Sequence, residues 1–212
     1  MTFSIVARDP ETGALGVATA TAGPAVGALV PHTRLGVGAV ATQAMTNPYL
    51  AFDALDHLQS KPAQLALDAA LAGDANPDLR QVILVDSTGR TAGWTGRQCM
   101  GFAGHAANDG VAVAGNLLTG PVVLDRMVSA FETASGAGLA RAMLHALEAG
   151  AAAGGDSRGI GSAALRVQTG QSFPDIDLRV DLSDDPLGAL DALLSLTSQG
   201  PYADFFAKVP RR

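Results

Sequence analysis

Apolar and polar positions change their spacing several times along the chain, and each change marks an element. Phe3, Ile5 and Ala7 alternate with Ser4, Val6 and Arg8, and Asp9-Pro10-Glu11-Thr12-Gly13 supplies turn residues before the apolar run Ala14 to Ala20. A period of two on both sides of a turn predicts an opening β-hairpin. Two further strands are expected at Ala25 to Val30 and Leu35 to Thr42, joined by Pro31-His32-Thr33-Arg34. The spacing then lengthens: Ala51, Ala54, Leu55 and Leu58 recur at helical intervals after Asn47-Pro48, and a second helix is expected from Pro62 to Leu71.

Strand patterns return at Gln81 to Val85, Arg90 to Thr95 and Val111 to Gly115, the first two separated by Asp86-Ser87-Thr88-Gly89 and the third preceded by Asn108-Asp109-Gly110. Pro121 suits a first helical turn, and Leu124, Met127, Val128 and Phe131 form an apolar stripe. The next helix, Leu139 to Leu147, is expected to stop at Gly150. Beyond the glycine-rich stretch Ala151 to Gly161, strands are expected at Ala163 to Val167 and Leu178 to Leu182, then a helix from Asp185-Pro186 with Leu187, Leu190, Leu193 and Leu194 inward. Strands and helical pairs in this order predict an α+β fold, a four-layer αββα sandwich of two antiparallel sheets flanked by helices. Neither a repeat nor a low-complexity linker divides the chain, so residues 1–212 are read as a single domain.

Composition narrows the function. With 48% hydrophobic and only 16% charged residues, the chain can bury a large core unaided. A single cysteine, Cys99, excludes an internal disulfide and a thiolate zinc site, and it reads as a small apolar residue rather than a nucleophile. The net charge of −6, without a basic run, argues against nucleic acid as a partner. The chain shows neither a signal-like start nor a membrane-length apolar run, so a cytoplasmic location away from membranes is expected. A homodimer is the expected assembly, as the commonest one.

The cofactor signals are weak. Gly36-Val37-Gly38-Ala39-Val40-Ala41 imitates a dinucleotide loop, but strand residues continue through Thr42 where a helix should begin. His32, His57, His105 and His145 lack metal-ligand spacing, so neither a metal nor a cofactor is expected. His105 stands as either an active-site base or a hydrogen-bonded loop residue.

Three features can carry chemistry. Thr2 would become the first residue if Met1 is removed, and its α-amine, with an ordinary pKa near about 7.7 to 8.0, could then act as base for its own hydroxyl. The loop Gly154-Gly155-Asp156-Ser157-Arg158-Gly159-Ile160-Gly161-Ser162 could offer backbone N–H groups to an oxyanion, with Asp156 and Arg158 orienting a substrate; equally, that pair could simply lock the loop. Asn116, in Ala114-Gly115-Asn116, is either an oxyanion donor or a buried amide serving a turn, and the same alternatives apply to Gln43 and to Thr19-Ala20-Thr21-Ala22.

Thr2 to Pro10, Gly36 to Ala44, Ala114-Gly115-Asn116 and Gly154 to Gly159 together resemble the bacterial and archaeal family called domain of unknown function 1028. The resemblance implies the N-terminal-nucleophile hydrolase fold, whose enzymes cleave amide bonds, and places Thr2 at the nucleophile position. Any assisting cation would be Arg8, Arg34 or Arg158, because Lys61 and Lys208 lie off the inner strands. The expectation is an amide hydrolase acting on a small polar molecule, with Thr2, Asn116, Asp156 and Arg158 catalytic and Arg8, Arg34, Gln43 and Ser162 binding substrate. The alternative is a non-catalytic small-molecule binding protein on the same fold.

Overall fold

A computed structural model describes residues 2–212. Along the chain run β1 (Thr2–Arg8), β2 (Leu15–Thr21), β3 (Pro31–Arg34), β4 (Gly38–Ala44), α1 (Tyr49–Leu58), α2 (Ala63–Ala72), β5 (Arg80–Asp86) and β6 (Thr91–Thr95). They are followed by β7 (Phe102–Asn108), β8 (Val111–Leu118), α3 (Val122–Thr133), α4 (Leu139–Ala152), β9 (Ser162–Gln168), β10 (Ile176–Val180), α5 (Pro186–Thr197) and α6 (Gly200–Phe206). One sheet has the order β10-β9-β2-β1-β8-β7 and the other β3-β4-β5-β6. Every pairing is antiparallel.

The alternation in β1 explains the layering. Phe3, Ile5 and Ala7 face Met127, Met143, Leu144 and Leu147 of α3 and α4, and Leu187, Leu190 and Leu194 of α5 extend that core beneath β9. Val6 faces the opposite way, toward Ala39, Ala41, Ile83 and Val85 of the second sheet, with Val17, Ala112 and Ala114 beside it. The outer face of the second sheet, Val40, Val82 and Leu84, is covered by α1 and α2 through Leu50, Leu55, Leu67 and Leu71. The result is the αββα sandwich. Each fully buried Phe, Ile or Leu in these layers contributes about 1.5–3 kcal/mol through apolar burial.

Some boundaries differ from the sequence expectation. Ala25 to Val30 is not a strand: Ala25 has φ +58 and Val26–Ala28 forms one turn of 3-10 helix. The strand lies instead in Pro31–Arg34, which reads as a turn by composition. It is an edge strand, and its proline takes the first position, where a missing N–H is tolerated. β7 lacks an apolar alternation because it is also an edge, largely exposed. α4 runs through Gly150 to Ala152; that glycine is a packing position, since a Cβ there would meet Met127 Cγ at 2.8 Å and Phe3 Cδ2 at 3.5 Å. Just beyond the helix, Gly154 takes φ +112, and the N–H groups of Gly154 and Gly155 return to the carbonyls of Ala151 and Gly150.

Candidate functional site

The layer between the sheets is apolar at one end and polar at the other. The faces that carry Val6, Val17, Ala41, Ala112, Ile83 and Val85 carry, further along the same strands, Thr2, Ser4, Thr19, Thr21, Asn116, Gln43 and Gln81, and all seven are buried. An unpaired polar group in such a place costs about 1–3 kcal/mol, so these side chains must satisfy one another.

They do so through two glutamines reaching across from the second sheet. Gln43 Oε1 accepts from Ser4 Oγ at 2.5 Å, and its Nε2 donates to the Thr2 carbonyl at 3.2 Å and to Gln81 Oε1 at 2.7 Å. Gln81 Oε1 also accepts from Asn116 Nδ2 at 2.9 Å. Its Nε2 faces Thr95 Oγ1 and the carbonyls of Gly104 and Gly115 at 3.0, 3.0 and 2.9 Å. Ser4 Oγ shares a hydrogen bond with Thr19 Oγ1 at 2.8 Å. Thr2 Oγ1 donates to Thr21 Oγ1 at 3.2 Å.

Strand register brings Thr2 opposite Asn116 on β8, and Thr21 opposite Ser162 on β9. The loop after α4 closes over this end. The Asp156 carboxylate is buried; its Oδ2 accepts from the Ala22 N–H at 3.1 Å and its Oδ1 from the Arg158 N–H at 2.8 Å, while a bridge pairs Asp156 with Leu118. Gly161 donates its N–H to the Thr21 carbonyl at 2.8 Å, and a Cβ there would lie 2.5 Å from the Ala22 oxygen. Ser162 Oγ donates to the Gly23 carbonyl at 2.7 Å and accepts from the Val26 N–H at 3.1 Å.

Three non-glycine residues among those described have positive φ: Ala25 at +58, Ala44 at +70 and Leu117 at +51. Ala44 follows Gln43, Leu117 follows Asn116, and Ala25 sits in the segment pinned by Ser162. Such backbone costs about 1–3 kcal/mol where tolerated and collects around functional sites.

The expected site residues therefore divide. Thr2, Asn116 and Gln43 share one network, and Asp156 and Ser162 are bound to it through Ala22 and the Thr21 register. Arg158 lies half exposed, its guanidinium 3.5 Å from Asp156. Arg8 stands at the far end of β1, about 20 Å away at the usual strand rise. Arg34 pairs with Asp56 at 2.5 Å and lies opposite Gly38, at the end of β4 remote from Gln43. Neither arginine joins the others.

Gln81 is the principal residue missed from the sequence. Its signal was available: it shares the two-residue period of Ile83 and Val85 and so had to face inward. His105 lies on β7, not in a loop, and its Nδ1 is 2.9 Å from Thr95 Oγ1. The ring lies against Gly93, and the loss of water there pushes its pKa below the ordinary imidazole value. Cys99 Sγ donates to the Arg80 carbonyl at 3.4 Å, and burial pushes its thiol pKa up, away from nucleophilic character. Among the described residues no three His, Cys, Asp or Glu side chains are grouped to hold a metal, and no helix is long and apolar enough to cross a membrane.

Two antiparallel sheets packed between helical layers, with a polar network at the head of the central strand, define the class of the molecule as an α+β sandwich. The chain belongs to DUF1028, a family of unknown function, whose pattern matches residues 2–190. The crystal structure of a protein of the same family from Silicibacter pomeroyi is 35% identical, with a TM-score of 0.93 over 99% of this chain and 92% of that one. Anbu, an ancestral beta-subunit from Yersinia bercovieri, aligns at 12% identity with a TM-score of 0.40, covering 99% of each chain. No curated protein matches.

Proposed function

We propose that this chain hydrolyses an amide bond in a small polar molecule, with Thr2 as the nucleophile once Met1 has been removed. Met1 itself lies outside the described residues. The observation that carries the reading is the position of Thr2: it begins the central strand, its hydroxyl is turned into the polar network, and Asn116 stands opposite it.

In this mechanism the freed α-amine takes the proton from Thr2 Oγ1, and the oxygen adds to the substrate carbonyl. Asn116 gives one amide hydrogen to Gln81, and its second is directed to the tetrahedral oxyanion, assisted by backbone N–H groups of the Gly154 to Gly161 loop. Collapse breaks the C–N bond, and the ammonium returns its proton to the departing amine. Water then cleaves the threonyl ester, which releases the acid and restores the hydroxyl. Gln43 fixes the Thr2 carbonyl, Asp156 holds the loop, and Arg158 orients an anionic part of the substrate.

The test combines intact-mass measurement of the expressed protein with an amide substrate screen on the wild type, Thr2→Ala and Thr2→Ser. Turnover is expected in wild-type molecules lacking Met1, reduced in Thr2→Ser and absent in Thr2→Ala. Equal turnover in wild type and Thr2→Ala, or activity from chains that keep Met1, would refute the mechanism.

A second reading, a binding protein without catalysis, is favoured by the bond that already occupies the Thr2 hydroxyl. It requires a metabolite that raises the melting temperature and is recovered chemically unchanged.

A further inference from the structure

A concavity lies at the Arg8 end of β1, away from the Thr2 network. It has a volume of about 600 Å³ and is walled by Arg8, Val111, Phe131, Leu139 and Ala142, with Asp109 and Glu132 also lining it. That volume falls within the range of small-molecule sites, which are mostly apolar with a few fixed polar groups.

Among the described residues, Arg8 Nε is the one buried side-chain nitrogen or oxygen without a hydrogen-bond partner. The neighbouring charges do not supply one. Asp9 is committed to its own turn, accepting from the N–H groups of Glu11 and Thr12 and from the Thr12 hydroxyl. Arg90, the other cation of the wall, gives its Nε to Asp86 at 2.8 Å. Arg8 thus brings to a largely apolar cleft a guanidinium whose Nε has no hydrogen-bond partner and whose charge acts on Asp9 only through space. A planar guanidinium in that position matches a carboxylate, while Val111, Phe131 and Leu139 match a hydrocarbon body.

We propose that this cleft binds a small monocarboxylic acid with an apolar body, its carboxylate seated on the Arg8 guanidinium. The exposed carboxylates of Asp109 and Glu132 repel a second negative charge, so the site selects against dianions such as inorganic phosphate. The inference is independent of the amide-hydrolase reading, because Thr2 and its partners lie at the opposite end of the strand.

The test is calorimetric titration of the full chain with 3-phenylpropionate, with 3-phenylpropan-1-ol as the neutral analogue and with inorganic phosphate. The acid is expected to bind saturably, and the alcohol and phosphate to bind at least about tenfold more weakly, because each lacks one part of the match. Arg8→Met is expected to weaken the acid by a similar factor while melting at an unchanged or higher temperature, since it deletes an unpaired buried donor. Ser135→Trp, at the exposed rim, should block the cleft without touching a strand, and Thr2→Ala should bind as wild type does. No saturable binding of the acid at about 10 mM, well above the useful range for such a ligand, would overturn the proposal. So would equal binding of the alcohol, or full binding by Arg8→Met and Ser135→Trp.

Discussion

Removing the Gln81 side chain would strand partners on both sheets: the amide groups of Gln43 and Asn116 lose their shared acceptor, and the carbonyls of Gly104 and Gly115 lose a donor. Gln81→Leu keeps the bulk and is expected to cost about 2–4 kcal/mol, because several buried groups are left unpaired at once. Urea unfolding of wild type and variant measures this directly. Two carboxylates at the same scale set the acid response. Burial alone would raise Asp74 and Asp86, but hydrogen bonds from Arg80, Asn47 and Asn76 to Asp74, and from Thr88 and Arg90 to Asp86, outweigh it and hold both below the ordinary value of 3.8. The unfolded chain then takes up these protons first as pH falls. Their contribution is intact above about pH 4 and disappears as the pH drops through the lower folded values, so the urea midpoint should fall steeply there and less steeply in Asp86→Asn. At this scale the sequence exposed residue types but not partners. Thr2, Asn116 and Gln43 were recognisable candidates, whereas the placement of Arg8 and Arg34 depended on which end of a strand meets which neighbour.

Glycines decide two of the element contacts. Gly150→Ala adds helix propensity worth up to about 1 kcal/mol, yet its Cβ would press on Met127 Cγ at 2.8 Å, an inner atom that cannot swing aside. A net loss of about 1–2 kcal/mol is expected from overpacking, read from the melting curve. Gly161→Ala meets a main-chain oxygen at 2.5 Å and should lift the Asp156 loop from β2. Its expected signature is loss of amide turnover in the assay described for Thr2→Ala. Elements with a clear period were legible from sequence: β1 and β2, the two helical pairs and β5 all appear where alternation or a helical stripe predicted them. β3, β7 and α6 were not, because edge strands and short exposed helices bury too little to impose a period. Gly150 reads as a stop because sequence alone does not distinguish a glycine that ends a helix from one that admits a neighbour.

At the scale of the whole molecule, β1 joins two regions of opposite character. Its Thr2 end enters a closed polar network, and its Arg8 end borders an open, mainly apolar cleft. If both proposals hold, saturating the cleft and mutating Thr2 should have separate effects: ligand affinity unchanged in Thr2→Ala, and turnover abolished whether or not the cleft is filled. The central position of this strand also has a kinetic side. β1 can pair with β2 as soon as both leave the ribosome, but its other neighbour, β8, is synthesised half a chain later, and β9, which completes β2, later still. Long-range pairings of this kind are closed late and slowly. A nascent chain halted before β8 would hold the Thr2 hairpin with one edge open and the apolar face of Phe3 and Ile5 uncovered by α3 and α4. Such an intermediate is a natural client for a chaperone, and the chemistry proposed at Thr2 could begin only after β8 and the loop through Gly161 have been made.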